Sequence, residues 1–214
     1  MSFHSEVLRS PAGVIERCGE SSQQRWIARQ ALLCIVVGGA CFGAAAGSFR
    51  GWEQALAAAL KLPAVTLVTL AVAGPALFAL ARCFDRRWSF GATVALMLAA
   101  GARTSLVLLA VAPALGLVVD SGVSYGAVRI VALAGYALGG LSGLSLLIRA
   151  LGDSPGRVGA LLSFSLVFGA VGLQSAWLFR PYLGDPRDER VPLFAHGRIE
   201  GGVAGSLLDR RAGP

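Results

Sequence analysis

Apolar residues are concentrated in five long blocks, and these blocks constrain the fold of the chain more than any other feature of the sequence. Each block is close to or longer than the roughly 20 residues that an α-helix needs to cross about 30 Å of hydrocarbon. Inside hydrocarbon every backbone polar group needs a partner within the protein, and a helix supplies those partners by itself. The sequence therefore predicts an all-α fold, a polytopic transmembrane helix bundle of about five spans.

These blocks divide the chain into three parts. Residues 1–29 are predicted to form a polar N-terminal tail, residues 30–179 the transmembrane bundle, and residues 180–214 a polar, partly disordered C-terminal tail. The expected spans are 30–49, 62–83, 89–119, 125–151 and 158–179. Between the first two spans, residues 49–63 place Trp52 and several small or apolar residues on one helical face. This pattern predicts one short interfacial helix.

The third block allows two topologies, because it is longer than one crossing requires. Residues 89–119 contain Arg103 and Pro113, and the block could be one kinked helix or two short segments meeting near Gly101. Each half alone would be too short to cross, so one tilted helix is favoured. Pro75 predicts a second kink, in the second span.

Basic residues indicate the orientation. The N-terminal tail, the loop after the second span and the loop after the fourth are rich in arginine, whereas the other loops hold few basic residues. Positive loops stay in the cytoplasm, so the N-terminus is predicted to be cytoplasmic and, after five spans, the C-terminus is on the opposite side. The basic C-terminal tail opposes this rule, and two crossings in the third block would place that tail inside.

Charge also bears on partners. Only 14% of the residues are charged, and the net charge is +7. A soluble domain carries about 25% charged residues. In a membrane protein an excess of arginine serves loop retention, so the predicted partner is the lipid bilayer and no nucleic acid.

Glycine recurs at every fourth position in two spans. Such a row leaves a shallow groove in which another helix backbone can approach closely. Two interpretations are open: packing within the bundle of one chain, which is favoured, or a membrane-protein partner or homodimer held through a glycine face. The rows are Gly39, Gly43 and Gly47 in the first span, and Gly135, Gly139 and Gly143 in the fourth.

Arg103, followed by Thr104, is the candidate site residue inside the membrane. It lies near the middle of the third block, where a charge is expensive and usually faces protein or water. It could extend its side chain to an interface, pair structurally with another helix, or form an anion or lipid-headgroup site with Thr104.

Enzyme chemistry finds little support in the sequence. The two histidines lie in the tails, and the four cysteines show no paired metal-ligand spacing. No intramembrane pair of carboxylates and no hydrolase or phosphate-binding motif is present. We therefore expect no enzyme activity, no cofactor, no metal and no catalytic residue.

Two motifs carry a resemblance to a known family. The stretch Q-A-L-A-A-A-L-K-L-P, residues 54–63, and the stretch G-L-Q-S-A-W-L-F-R-P-Y-L-G-D-P, residues 172–186, resemble segments of uncharacterised bacterial polytopic membrane proteins. Those proteins share Q-A-L-x-x-A-x-K-L-P and G-x-Q-x-x-W-x-L-R-P-F-x-G-x-P; here Tyr182 replaces the usual phenylalanine. The resemblance implies an all-helical bacterial inner-membrane fold, distantly like the five-span Yip family, and no known reaction.

The end of the last span is a second candidate region. Pro181 ends the predicted helix, and Trp177 belongs at the membrane interface. Gln174, Trp177 and Arg180 are three residues apart and are predicted to form an inward patch that closes the bundle against residues 61–63. From these features we expect a non-enzymatic scaffold, accessory subunit or membrane-organisation factor. The alternative is a small transporter or channel for an anion or lipid, built on Arg103 and the kinked second and third spans.

Overall fold

The computed structural model describes residues 3–83, 88–152 and 157–178. Within these ranges the chain is all-α. The helices are α1 (Phe3–Arg9), α2 (Pro11–Gly19), α3 (Ser21–Gly47), α4 (Trp52–Cys83), α5 (Phe90–Asp120), α6 (Tyr125–Leu151) and α7 (Arg157–Leu178), with a short 3-10 turn at Ser48–Arg50. The predicted C-terminal tail, 180–214, lies outside the described residues.

Local sequence explains several helix ends. The side chain of Ser89 accepts a hydrogen bond from the Ala92 amide at 3.1 Å, and Ser124 does the same for α6. Both serines satisfy amides that the first turn of a helix leaves without partners. Gly152 ends α6 with a φ of 55°, a conformation that other residues adopt rarely.

Four helices are long and apolar enough to cross a membrane. In the described ranges they are Ser21–Arg50, Trp52–Cys83, Phe90–Asp120 and Tyr125–Leu151, and α7 contains a shorter apolar stretch, Leu161–Gln174. The predicted all-α bundle is confirmed. The third block is one unbroken helix through Gly101 and Arg103, as favoured from the sequence.

The structure differs from the prediction between the first two spans. The residues expected to form a separate interfacial helix are the first turns of α4, which runs without a break through Pro63. A proline inside a helix needs space for its ring and a substitute for its missing amide bond. Space comes from Gly39, whose missing side chain would lie 3.2 Å from the ring of Pro63.

The first residues of the chain also differ from the predicted polar N-terminal tail. Phe3 and Val7 on α1, with Val14 and Cys18 on α2, are buried in the same apolar cluster as residues of α3, α5 and α6. Each pair is spaced by four residues and so shares one helix face. The N-terminal helices therefore pack against one end of the bundle.

The way in which the long helices pack against one another determines where the candidate site lies. α3 lies centrally between α4 and α5, α6 packs mainly on α5, and α7 packs mainly on α4. α6 and α7 make only a brief contact. The bundle is therefore closed around α3 and open between its last two helices.

Candidate functional site

The glycine row of α3 is covered by α4. A side-chain carbon at Gly43 would lie 2.8 Å from the carbonyl carbon of Ala58, and one at Gly47 would lie 2.8 Å from Cα of Ala55. Real side chains essentially never approach backbone so closely. Glycine therefore sets the distance between α3 and α4, with Gly39 as the third close point.

The glycine row of α6 is covered by α5 and by one residue of α3. A side-chain carbon at Gly143 would lie 2.8 Å from the Ala100 carbonyl oxygen, and one at Gly139 would lie 3.1 Å from that of Thr104. At Gly135 the nearest atom belongs to the ring of Phe42, at 3.1 Å. Both glycine faces are thus occupied by helices of the same chain, which draws α6 toward α5.

A large cleft remains between α6 and the pair α4–α7. Its volume is about 680 Å³, and its floor is formed by α3 and α5. Ligand pockets typically measure about 300–1,000 Å³. Leu133 of α6 and Leu173 of α7 line the cleft and are largely exposed, so its open side lies between these two helices, toward the surrounding bilayer.

The cleft wall is mainly apolar and carries a few polar groups. Tyr136 on α6 forms a side-chain hydrogen bond with Thr66 on α4 and packs edge-on against Phe42, with ring centroids 5.8 Å apart. Thr69 lines the same cleft, and its buried hydroxyl has no hydrogen-bond partner among the described residues. An unsatisfied buried hydroxyl in a cavity wall is a group that a bound molecule can satisfy.

Arg129 lies at the α6 N-terminal end of the cleft. Its side chain is exposed, and no hydrogen bond or ion pair joins it to another described residue. Arg129 was not among the site residues predicted from the sequence. A signal was nevertheless present, because Arg129, Tyr136, Gly140 and Gly143 are spaced to share one face of a helix.

Arg103, the predicted site residue, faces a different direction. Its Nε donates a hydrogen bond to the Ser142 hydroxyl of α6 at 3.0 Å. Its Nη1 is buried and has no partner among the described residues. Arg103 does not line the cleft, whereas the next residue, Thr104, does. The structure thus brings Arg103 to Ser142 and separates it from Thr104.

The predicted patch at the end of the last span lies partly outside the described residues. Gln174 lies in α7 and is exposed. Trp177 belongs to α7 by its backbone, but its side chain lies outside the described part of the chain, as do Arg180 and Pro181 entirely. The inward patch therefore stays a prediction.

Among the described residues, no three histidine, cysteine, aspartate or glutamate side chains come together in a group that could hold a metal ion. The polar groups of the cleft are hydroxyls and one guanidinium, which suit hydrogen bonding and anion contact.

The apolar helices and their packing indicate an integral membrane protein of the helical-bundle class. No match was found in comparisons of the chain with protein-family models, with curated proteins and with solved structures.

Proposed function

We propose that this chain is a non-enzymatic, multi-pass protein of a bacterial inner membrane, with its N-terminus in the cytoplasm, and that it organises the bilayer by holding a lipid in the α6–α7 cleft. The observation that supports this proposal is the 680 Å³ cleft, open between two membrane helices. The resemblance to the uncharacterised bacterial family, and distantly to the Yip proteins, belongs to the same proposal. A scaffold or accessory role would follow if the lipid-loaded protein binds a membrane partner.

The shape of the cleft favours a lipid chain over a hydrated solute. Along α6 the lining extends from Arg129 to Leu147, which is roughly 27 Å at a rise of 1.5 Å per residue. That length is close to the roughly 30 Å thickness of the hydrocarbon core. Ion pathways are lined by carbonyls, charged side chains or water, whereas this wall is mainly leucine, phenylalanine, alanine and glycine.

Two glycines allow the cleft to be filled without disturbing the fold. Gly140 on α6 and Gly169 on α7 both line the cleft, and a side-chain carbon at either would meet no atom within 4 Å. We expect Gly140→Phe and Gly169→Phe to fold normally and to lose most lipid binding, measured by native mass spectrometry of the protein in mild detergent.

Gly116 provides the matched control. It lies in α5, does not line the cleft, and likewise has open space around it. Gly116→Phe should retain the lipid of the unmodified protein. Equal lipid retention by all three variants would refute the proposed function, because the lipid would then be bound elsewhere on the surface.

Transport is a second candidate function, favoured by the buried, unpartnered Nη1 of Arg103 in the middle of α5. A guanidinium nitrogen at that depth could contact an anion. If the protein is a transporter, liposomes containing it should show anion or lipid flux that Arg103→Ala abolishes. Absence of flux from active, correctly inserted protein would remove this candidate.

A further inference from the structure

We propose that the cleft is a binding site for an anionic glycerophospholipid, with Arg129 contacting the phosphate. This inference rests on the proposed function and adds to it the chemical class of the ligand and the residue that selects it. Three observations carry it. Arg129 lies near one end of the bundle, it has no hydrogen-bond or ion-pair partner among the described residues, and the hydrogen-bonded pair Tyr136–Thr66 lies deeper in the cleft.

Depth is set by the end of the bundle at which Arg129 lies. It is one turn from the start of α6, and Tyr125 at that start contacts the ring of Phe49, just past the end of α3, with centroids 5.8 Å apart. The ends of two membrane helices therefore meet at this level. A residue one turn inside such an end lies near lipid headgroups, while the rest of the cleft lies in hydrocarbon.

The guanidinium of Arg129, which has no ion-pair partner among the described residues, points to an anionic headgroup. Glu53 begins the same end of α4 and Asp120 ends α5, yet neither forms an ion pair with Arg129. An arginine whose N–H donors have no protein partner can bind a phosphate through two parallel hydrogen bonds, in bidentate geometry.

Polar groups below Arg129 favour a phospholipid over a fatty acid. Tyr136 is on the same α6 face as Arg129 and roughly 10 Å further along the helix at 1.5 Å per residue. The Tyr136–Thr66 pair is thus a polar point in an apolar wall, beneath the cation. A glycerophospholipid carries ester carbonyls beneath its phosphate that can use such a point, whereas a fatty acid has a single polar end.

The experiment compares two lipids with identical acyl chains, phosphatidylglycerol and phosphatidylcholine, titrated into the delipidated full-length protein in detergent. Native mass spectrometry counts the lipids bound. The unmodified protein should prefer phosphatidylglycerol, and Arg129→Gln should weaken phosphatidylglycerol binding roughly five-fold, the usual effect of one basic residue on anionic lipid. Phosphatidylcholine binding should not change.

Two controls separate charge from fold. Arg129→Lys keeps the charge and should keep most of the preference. Arg25→Gln removes an exposed charge from the N-terminal part of α3, away from the cleft, and should behave as the unmodified protein.

The outcomes distinguish this inference from the function on which it rests. If Gly140→Phe blocks both lipids but Arg129→Gln keeps the preference, the cleft binds lipid and the headgroup assignment is wrong. If palmitate displaces phosphatidylglycerol at equal concentration, a fatty acid is the ligand and the phospholipid assignment is overturned. If lipid binds to Gly140→Phe as well as to the unmodified protein and without preference for phosphatidylglycerol, both proposals fail.

Discussion

At the scale of single residues, the glycines of α6 divide into two kinds that the sequence cannot separate. Gly143 lies against the backbone of α5, where an added carbon would be 2.8 Å from the Ala100 carbonyl oxygen. Gly140, only three residues earlier, lines the cleft as Gly143 does, but it has open space around it. One glycine therefore permits helix contact and the other leaves volume for a ligand.

Alanine substitution should reveal this difference. We expect Gly143→Ala to lower the free energy of unfolding by about 1–3 kcal/mol, since overpacked contacts force the helices apart. Gly140→Ala should cause no loss, because alanine is the better helix former and meets no neighbour. Unfolding in mixed detergent micelles measures both variants. Equal destabilisation of the two would contradict the packing described here.

Arg103 and Ser142 form the second pair that matters at this scale. The Ser142 hydroxyl is the acceptor for Arg103 Nε, across the contact between α5 and α6. Ser142→Ala removes that acceptor, and we expect a loss of about 0.6–2 kcal/mol, the range found for hydrogen bonds between membrane helices. The same unfolding assay applies. A neutral Ser142→Ala would show that Arg103 finds its stabilisation elsewhere.

At the scale of elements, α1 and α2 form a folded cap at one end of the bundle. Glu6 of α1 forms an ion pair with Arg17 of α2. The Arg17 guanidinium lies 5.5 Å from the centre of the Trp26 ring on α3, and the Phe3 ring meets the same tryptophan edge-on. These contacts tie α1, α2 and the start of α3 together.

Cysteine chemistry reports on this cap. Burial raises the pKa of the Cys18 thiol from its ordinary 9.0 to about 12, and neighbouring Arg17 opposes that rise in part. Because the thiolate is the reactive form, Cys18 should label far more slowly than exposed Cys83 with a maleimide at pH 8. Arg17→Ala should loosen the cap and accelerate labelling of Cys18 alone, as mass spectrometry of the labelled peptides can measure.

The same pKa shift has a consequence for stability. Below pH 9.0 the thiol is protonated whether α2 is docked or released, so ionisation of Cys18 has no effect on docking. Above that pH the released thiol ionises first, and docking becomes less favourable until the pH reaches about 12. Cys18→Ala should therefore reduce the weakening of cap docking at alkaline pH. Hydrogen exchange of the α2 amides measures this weakening.

The cap also shows why part of the fold could not be predicted from the sequence. Span positions follow from hydropathy, a local property, and α5 and α6 were placed within a residue or two of their ends. The buried pairs Phe3–Val7 and Val14–Cys18 occupy helices of one to three turns, too short to give a clear periodic signal. Their burial depends on surfaces of α5 and α6 that are remote in the chain.

At the scale of the whole molecule, the cleft follows from an unequal division of contacts. The glycine rows draw α4 against α3 and α6 against α5, while α7 attaches to α4. No helix fills the space that remains between α6 and α7 in the described structure. Spacing in the sequence predicted close helix contacts at the glycines, but it did not indicate which helices would meet, so the cleft could not be foreseen.

The orientation of the bundle in the membrane determines which leaflet would supply the proposed lipid. Four long helices return the chain to its starting side, and α7, whose apolar stretch Leu161–Gln174 is shorter than theirs, is the fifth crossing in the proposed topology. In the proposed orientation the arginine-rich segments, and with them the N-terminal cap, lie in the cytoplasm. Arg129 then faces the outer leaflet, so the lipid that fills the cleft would come from that leaflet.

Reporter fusions test this arrangement directly. Alkaline phosphatase inserted after Gly122, between α5 and α6, should be active, whereas a fluorescent protein that folds only in the cytoplasm should be bright at the N-terminus and dark after Pro214. A bright signal after Pro214 would mean that α7 does not complete a crossing, and the cleft would then lack one transmembrane wall. Activity of a phosphatase fused to the N-terminus would instead show that the bundle has the inverted orientation. Arg129 would then face the cytoplasmic leaflet, and the lipid proposed for the cleft would come from that leaflet.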